Sequence, residues 1–285
     1  MPDTSQNDGV IVRRANGVLF ATLNIPATRN ALAPEVVAAL AAAVEQAESD
    51  PEVRALVLRG AGGIFSAGGN VGNFQARLQA RLQADASQDD PVATRNRQFG
   101  YFMERLSVLP VPVIAAVDGA AMGGGMGLAC AADIVLATRD ARFALSETTL
   151  GIIAAQIAPF VVQRLGAVAT RRLGLTGERV SGQPAVALGL VDQLAEDSAE
   201  LDALIAEWLT RIGRCGPQAN RVFKTLVGRC GQEPVAPLLD EASRLFAQCM
   251  RREGAEGVAA FREKRDVSWV ARFDADTVRA AQAVA

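Results

Sequence analysis

Two glycine-rich stretches and one glutamate are the residues of this chain best suited to chemistry. The first stretch, Gly60 to Asn70, reads G-A-G-G-I-F-S-A-G-G-N and follows an apolar run from Ala55 to Arg59. The second reads D-G-A-A-M-G-G-G from Asp118 to Gly125; it follows the apolar run Val113 to Val117 and leads into helix-forming sequence from about Met126. A strand, a turn and a helix start leave backbone N–H groups without internal partners. Glycine lets a ligand approach those groups with no Cβ in the way. Such a turn can hold a phosphate or the oxygen of a polarised carbonyl. The phosphate patterns fit poorly. The glycines run G-G-G-M-G with Leu128 in the sixth place, where a dinucleotide fingerprint needs G-x-G-x-x-G, and no lysine follows as in a Walker loop. Two turns giving one N–H each to a single oxygen is the layout of an oxyanion hole. Glu147 stands where the polar S-E-T-T meets the apolar L-G-I-I-A-A. Those surroundings favour a perturbed carboxylate that works as an acid or base.

Composition removes several alternatives. The 285 residues contain no histidine, so no Ser-His or Cys-His nucleophile and no histidine metal site exists. Acid–base work falls to Glu, Asp, Lys, Tyr or Cys. Cys130, Cys215, Cys230 and Cys249 lie far apart with no C-x-x-C, which fits reduced thiols and no metal site. The net charge of −2 and the scarcity of aromatic residues argue against a nucleic-acid surface. The polar start, M-P-D-T-S-Q-N-D, has no apolar signal region, and the apolar stretches are too interrupted for a membrane span. A cytoplasmic protein is expected.

The elements that must position these groups follow from pattern. Val10 to Arg13 and Val18 to Leu23 read as strands joined at Asn16-Gly17, a hairpin turn. Pro34 opens a helix whose Val37, Leu40 and Val44 share a face, and Asp50-Pro51 ends it. Ala55 to Arg59 and Val113 to Val117 are buried strands, so the strand and glycine turn occur twice. Val71 to Ala84 predicts an exposed helix, Asp85 to Pro91 a polar loop, and Ala93 to Leu106 a helix with Phe99, Phe102 and Leu106 as its apolar stripe. The loop and this helix would bound a substrate pocket. Ile134 to Ala137, Phe143-Ala144 and Leu190 to Leu194 predict short strands. Helices are expected over Ile157 to Leu165, Ala169 to Leu175 and Ser181 to Leu188. Beyond Ser198 four more follow: Leu201 to Ile212, Gln218 to Val227, Val235 to Met250 and Gly254 to Phe261. A strand-rich first part and a helical second part predict an α/β core over 1–197 and a helical region over 198–285.

With these pieces placed, the chain resembles the crotonase (enoyl-CoA hydratase/isomerase) superfamily over nearly its full length. Five stretches carry the resemblance: L-N-I-P-A-T-R-N-A-L from Leu23, F-S-A-G-G-N from Phe65, Gly119 to Asp133, F-A-L-S-E-T-T-L-G-I from Phe143, and E-G-V-A-A-F-R-E-K-R from Glu256. Each is loose alone; five in order are specific. The resemblance implies a spiral of ββα units followed by C-terminal helices that trimerise, a homotrimer or a homohexamer of two stacked trimers, and an acyl-CoA thioester as substrate with no separate cofactor. It places the oxyanion-hole amides at Gly69 and Gly124 and the acid/base at Glu147. CoA would meet the backbone of Asn30, Ala31 and Leu32, the turn at Ala67, and Phe261 and Lys264, the last two often across a subunit boundary.

The chain also departs from that pattern. Two-glutamate hydratases carry their first glutamate three residues after the second oxyanion glycine, and Gly127 stands there. Asn70 replaces a usual Asp, and Ala155 a usual Gly. The run L-G-I-I-A-A-Q-I-A-P-F-V-V-Q-R-L-G is most similar to a one-glutamate branch, the isohexenylglutaconyl-CoA and methylglutaconyl-CoA hydratases. Gln156, in apolar company near a helix start, is the candidate for holding water opposite Glu147, because a buried amide needs partners. The resulting expectation is a 2-enoyl-CoA hydratase, possible substrates including a branched glutaconyl-CoA. Its rivals are an enoyl-CoA isomerase using one glutamate, a silent CoA-binding subunit, and a hydrolase or decarboxylase sharing the oxyanion hole.

Overall fold

The apolar runs assemble into a seven-stranded sheet that carries both glycine turns at one end. The computed structural model describes residues 4–7, 9–69 and 90–284. The predicted helix over Val71 to Ala84, most of the following polar loop, and Asn70 lie outside the described residues. The large sheet runs in the order β1-β2-β3-β4-β5-β7-β10. Its strands are β1 (Thr4–Asn7), β2 (Val10–Ala15), β3 (Val18–Leu23), β4 (Ala55–Gly60), β5 (Val113–Val117), β7 (Ile134–Thr138) and β10 (Gln193–Ala195). The first three pair antiparallel and the rest parallel. A three-stranded sheet, β6-β8-β9, joins Ala120–Met122, Arg142–Ala144 and Arg179–Ser181.

Strands β3, β4 and β5 are buried at every position, so they read as continuous apolar runs rather than alternating ones. One face of the sheet packs on α1 (Pro34–Ser49), α2 (Pro91–Ser107), α3 (Gly124–Ala131) and α4 (Ala158–Thr176). Phe65, Leu40, Met103 and Leu106 are fully enclosed there, each such side chain contributing about 1.5–3 kcal/mol. A short α5 (Gly182–Ala187) follows β9. The other face, with Phe20, Val57 and Ile114, is covered by α6 (Ser198–Arg214) and α10 (Ala275–Gln282). Between those two lie α7 (Pro217–Arg229), α8 (Val235–Cys249) and α9 (Ala255–Glu263).

The stretch beyond 198 therefore supplies both a cover for the sheet and an outlying helical group. Two cations tie that group to the core. Lys224 of α7 bonds the Val111 carbonyl and Asp133, while Arg221 bonds the carbonyls of Asp50 and Val53. Under α6, Arg59 of β4 is 8% exposed and bonds Asp202, Gln282 and Ser198, with Asp118 at 3.6 Å. This wide network satisfies a charge that would otherwise be very costly to bury.

Several sequence expectations shift. The helix after the second glycine turn starts at Gly124, not Met126. The strand expected over Leu190 to Leu194 forms at Gln193–Ala195, because Leu190 and Val191 instead bond back to Ala185 beyond α5. The two helices expected on either side of Gly166 do form, and Gly166 breaks α4 between them with the non-helical φ 74° and ψ 161°. Strands β1, β6 and β9 and helix α10 were not expected. The free Cys130 is buried, which pushes its thiol up to about 12, so it is chemically quiet.

Candidate active site

The two glycine turns follow adjacent parallel strands, β4 and β5, and meet. Ser66 N donates to Ala120 O and Met122 N to Ser66 O, both at 2.9 Å, so the first turn pairs with β6 of the second. Gly68 takes φ 81°, and a methyl on it would lie 2.4 Å from Met122 O and 3.0 Å from Gly124 N. A methyl on Gly125 would lie 2.6 Å from Ser66 O. Glycine is required at these positions because backbone meets backbone. Gly69 follows Gly68 directly and is exposed; Gly124 is the first residue of α3. Among the described residues, neither amide is given to a protein oxygen. That matches the unpaired donors of a helix start, where the dipole also favours negative charge.

The Asn30 turn braces this arrangement. Asn30 is 1% exposed, with φ 55°. Its side-chain amide donates to Ala61 O and Ile64 O and accepts from Ile25 N. Ser66 Oγ donates to Asn30 O and accepts from Gly68 N. Ala67 N donates to Arg29 O, and Leu32 N donates to Gly68 O. Asn30, Ala31, Leu32 and Ala67 are thus brought together against the first glycine turn. The Leu32 side chain also reaches the second turn: a methyl on Gly124 would lie 3.0 Å from Leu32 Cδ1 and 3.6 Å from Phe99 Cζ. Those two apolar groups crowd the Cα of Gly124. Sequence reasoning missed Ser66 and the side chain of Leu32, although the serine inside F-S-A-G was a usable signal.

Glu147 is held beside the same turn. Gly123 N donates to Ala144 O at 2.8 Å, which fixes the end of β8 against it. Glu147 then opens a short 3-10 turn, Glu147–Leu150. A methyl on Gly123 would lie 2.7 Å from Glu147 Oε1. Glu147 Oε2 is enclosed and has no hydrogen-bond partner among the described residues. Burial pushes the carboxyl above the ordinary carboxylate range. A carboxyl so placed can accept and return a proton.

Gln156 has its amide nitrogen on Asn96 Oδ1 of α2 at 2.9 Å. Phe261, on α9, is 85% exposed, and Lys264 ends that helix with φ 53°. Neither is brought to Glu147 by any hydrogen bond or ion pair of the described residues. A separate cleft of about 490 Å³, lined by Arg59, Asp118, Asp202, Arg279 and Gln282, contains none of Gly69, Gly124 and Glu147. Among the described residues no helix is long and apolar enough to cross a membrane.

Residues 13–272 match the model of a family described as enoyl-CoA hydratase/isomerase. A crystal structure of an enoyl-CoA hydratase/isomerase from Marinobacter aquaeolei is 41% identical, with TM-score 0.85, covering 92% of this chain and 98% of that one. Pseudomonas aeruginosa AtuE is 40% identical with TM-score 0.87, covering 93% of this chain and 100% of that one. The mitochondrial methylglutaconyl-CoA hydratase of Mus musculus is 32% identical over 259 residues, 87% of this chain and 78% of that protein. The chain belongs to the enoyl-CoA hydratase/isomerase family and has the crotonase fold. It is an enoyl-CoA hydratase-like enzyme.

Proposed function

We propose that this enzyme adds water across the double bond of a 2-enoyl-CoA, with a branched glutaconyl-CoA as the favoured substrate class. The observation that carries the reading is the contact of two glycine turns with a half-buried carboxylate beside one of them, whose Oε2 is enclosed and has no partner among the described residues. The Gly69 and Gly124 amides bind the thioester oxygen and strengthen their hold as it gains charge. Glu147 takes a proton from water as the water oxygen bonds to C3. The C2–C3 π pair moves to form the enolate. Glu147 then returns the proton to C2 as the enolate collapses, so H and OH are added and no co-reactant is used.

The Asn30 to Leu32 turn and Ala67 receive the CoA arm. Phe261 and Lys264 reach it from a neighbouring subunit of a homotrimer or homohexamer. In support, Phe223, Leu239, Phe246 and Phe261 are all more than 60% exposed on α7, α8 and α9, and exposed apolar surface of that kind marks contact faces where it is contiguous. Similarity to the mouse methylglutaconyl-CoA hydratase favours a glutaconyl group. Gln156, whose amide nitrogen is engaged by Asn96, is assigned a positioning role.

The experiment is turnover of 2-enoyl-CoA and 3-enoyl-CoA panels in water enriched in heavy oxygen, for the parent and Glu147→Gln. Heavy oxygen entering the product, abolished in the variant, is the expected result. A lone carboxylate also suits an isomerase, which moves a proton between carbons; a shifted double bond without oxygen uptake selects that reading. Conversion unchanged by Glu147→Gln refutes both.

A further inference from the structure

We infer that Gln156 and Ile157 form a wedge which occupies the second acid/base position of this site, and that Ile157 is the residue confining the chemistry to Glu147. The inference rests on the reading of Glu147 above.

Two consecutive residues fill the space of two missing side chains on two different helices. A methyl on Gly127 of α3 would lie 2.3 Å from Ile157 Cγ2 and 2.6 Å from its Cβ. A methyl on Gly100 of α2 would lie 1.9 Å from Gln156 Oε1 and 2.9 Å from its Cδ. Both glycines are buried, and Ile157 is 3% exposed. Ile157 presents its buried Cβ and cannot swing aside, so position 127 stays glycine while it is in place; at position 100 the ends of Gln156 and of Arg97, whose Nη1 would lie 2.5 Å from the methyl, would have to move. Asn96 holds the Gln156 amide from one turn earlier on α2. From the other side, Phe160 and Val161 donate to Ile157 O, both at 3.1 Å, which makes Ile157 the first anchor of α4.

The place that Ile157 fills is chemically significant. Gly127 N donates to Gly123 O at 3.0 Å, so Gly123, the cap of α3, and Gly127 within it stand one turn apart. Residues at that spacing share a helix face. Glu147 lies over Gly123 and Ile157 over Gly127. One turn of this face therefore meets a carboxylate and the next meets a hydrocarbon. A side chain grown from position 127 would enter beside Glu147, and Ile157 closes that route. Gln156 acts through Ile157: its clamp to Asn96 and Gly100 fixes the segment that carries the isoleucine.

Two measurements test this. The first reads packing without substrate, as a double-mutant cycle in Tm between Gly127→Ala and Ile157→Ala. Gly127→Ala alone should lower Tm by roughly 5 °C through overpacking. With Ile157→Ala present, the same change should cost nothing or raise Tm, since alanine favours a helix. An equal cost in both backgrounds overturns the inference. The second reads chemistry in the Glu147→Gln background. Gly127→Glu together with Ile157→Ala should restore hydration at least about tenfold over Glu147→Gln, a fraction of what one acid/base group contributes. Gly127→Glu without Ile157→Ala should restore none. Restoration by Gly127→Glu alone, or none by the triple variant, overturns it. If the parent hydrates no enoyl-CoA, the proposed reaction fails, and the Tm cycle still decides whether the wedge exists.

Discussion

Gly68→Ala isolates the contact between the two glycine turns. Gly68 has φ 81°, and its added methyl would meet Met122 O at 2.4 Å and Gly124 N at 3.0 Å. Gly63, in the same stretch, has φ 68° with nothing within 4 Å. Both alanines incur the left-handed backbone cost of about 1–2 kcal/mol. Only Gly68→Ala adds the collision, worth about a further 1–3 kcal/mol. A chain of this size loses about 2–4 °C of Tm per kcal/mol, so Gly68→Ala should melt roughly 5 °C below Gly63→Ala. The methyl can be relieved only by separating the turns, which removes one donor from the thioester oxygen. Loss of one such donor lowers kcat by about 10²–10³-fold. Melting curves and steady-state kinetics on a 2-enoyl-CoA measure both. If Gly68→Ala melts with Gly63→Ala and keeps the parent kcat, the two turns do not form one oxyanion site.

Two further outcomes follow from burial and exposure. Burial raises the Glu147 pKa in the folded protein, so the stability linked to this group is complete below its unfolded value and lost as pH rises through the folded one. Glu147→Gln should therefore raise Tm at neutral and alkaline pH, the gain closing in acid; a difference independent of pH refutes this. Phe223 and Phe246 are 66% and 68% exposed. Replacing both with Asp should yield a species of smaller mass in sedimentation, whereas an unchanged mass would rule these helices out as the subunit contact.

Much of this molecule was legible because its core strands are uninterrupted apolar runs bounded by turn residues. Val18 to Leu23 and Val113 to Val117 form as predicted. The three-residue strands β6 and β9 escaped, since so short a stretch carries no period. Helix α10 escaped because only Val278 and Ala281 of its apolar residues face the core, on an otherwise polar segment. In the site, both glycine turns and Glu147 were found from residue type and neighbours. Ile157 was not, because an isoleucine in an apolar run looks like any core residue. Its meaning lies in the missing Cβ of Gly127, a contact that only the folded chain creates.

The Arg59 network has a consequence for how the molecule is made. Arg59 finds one acceptor 143 residues later, in Asp202, and another 223 residues later, in Gln282. During synthesis its charge is ready to be enclosed long before either partner has been translated. That side of the sheet must wait, with Phe20 and Val57 bare, until α6 and finally α10 emerge and close over it. Contacts so distant along the chain slow folding, and a sheet left uncovered invites association with other chains. Enclosure of this face of the sheet is thus complete only once the last turn of α10 has been made.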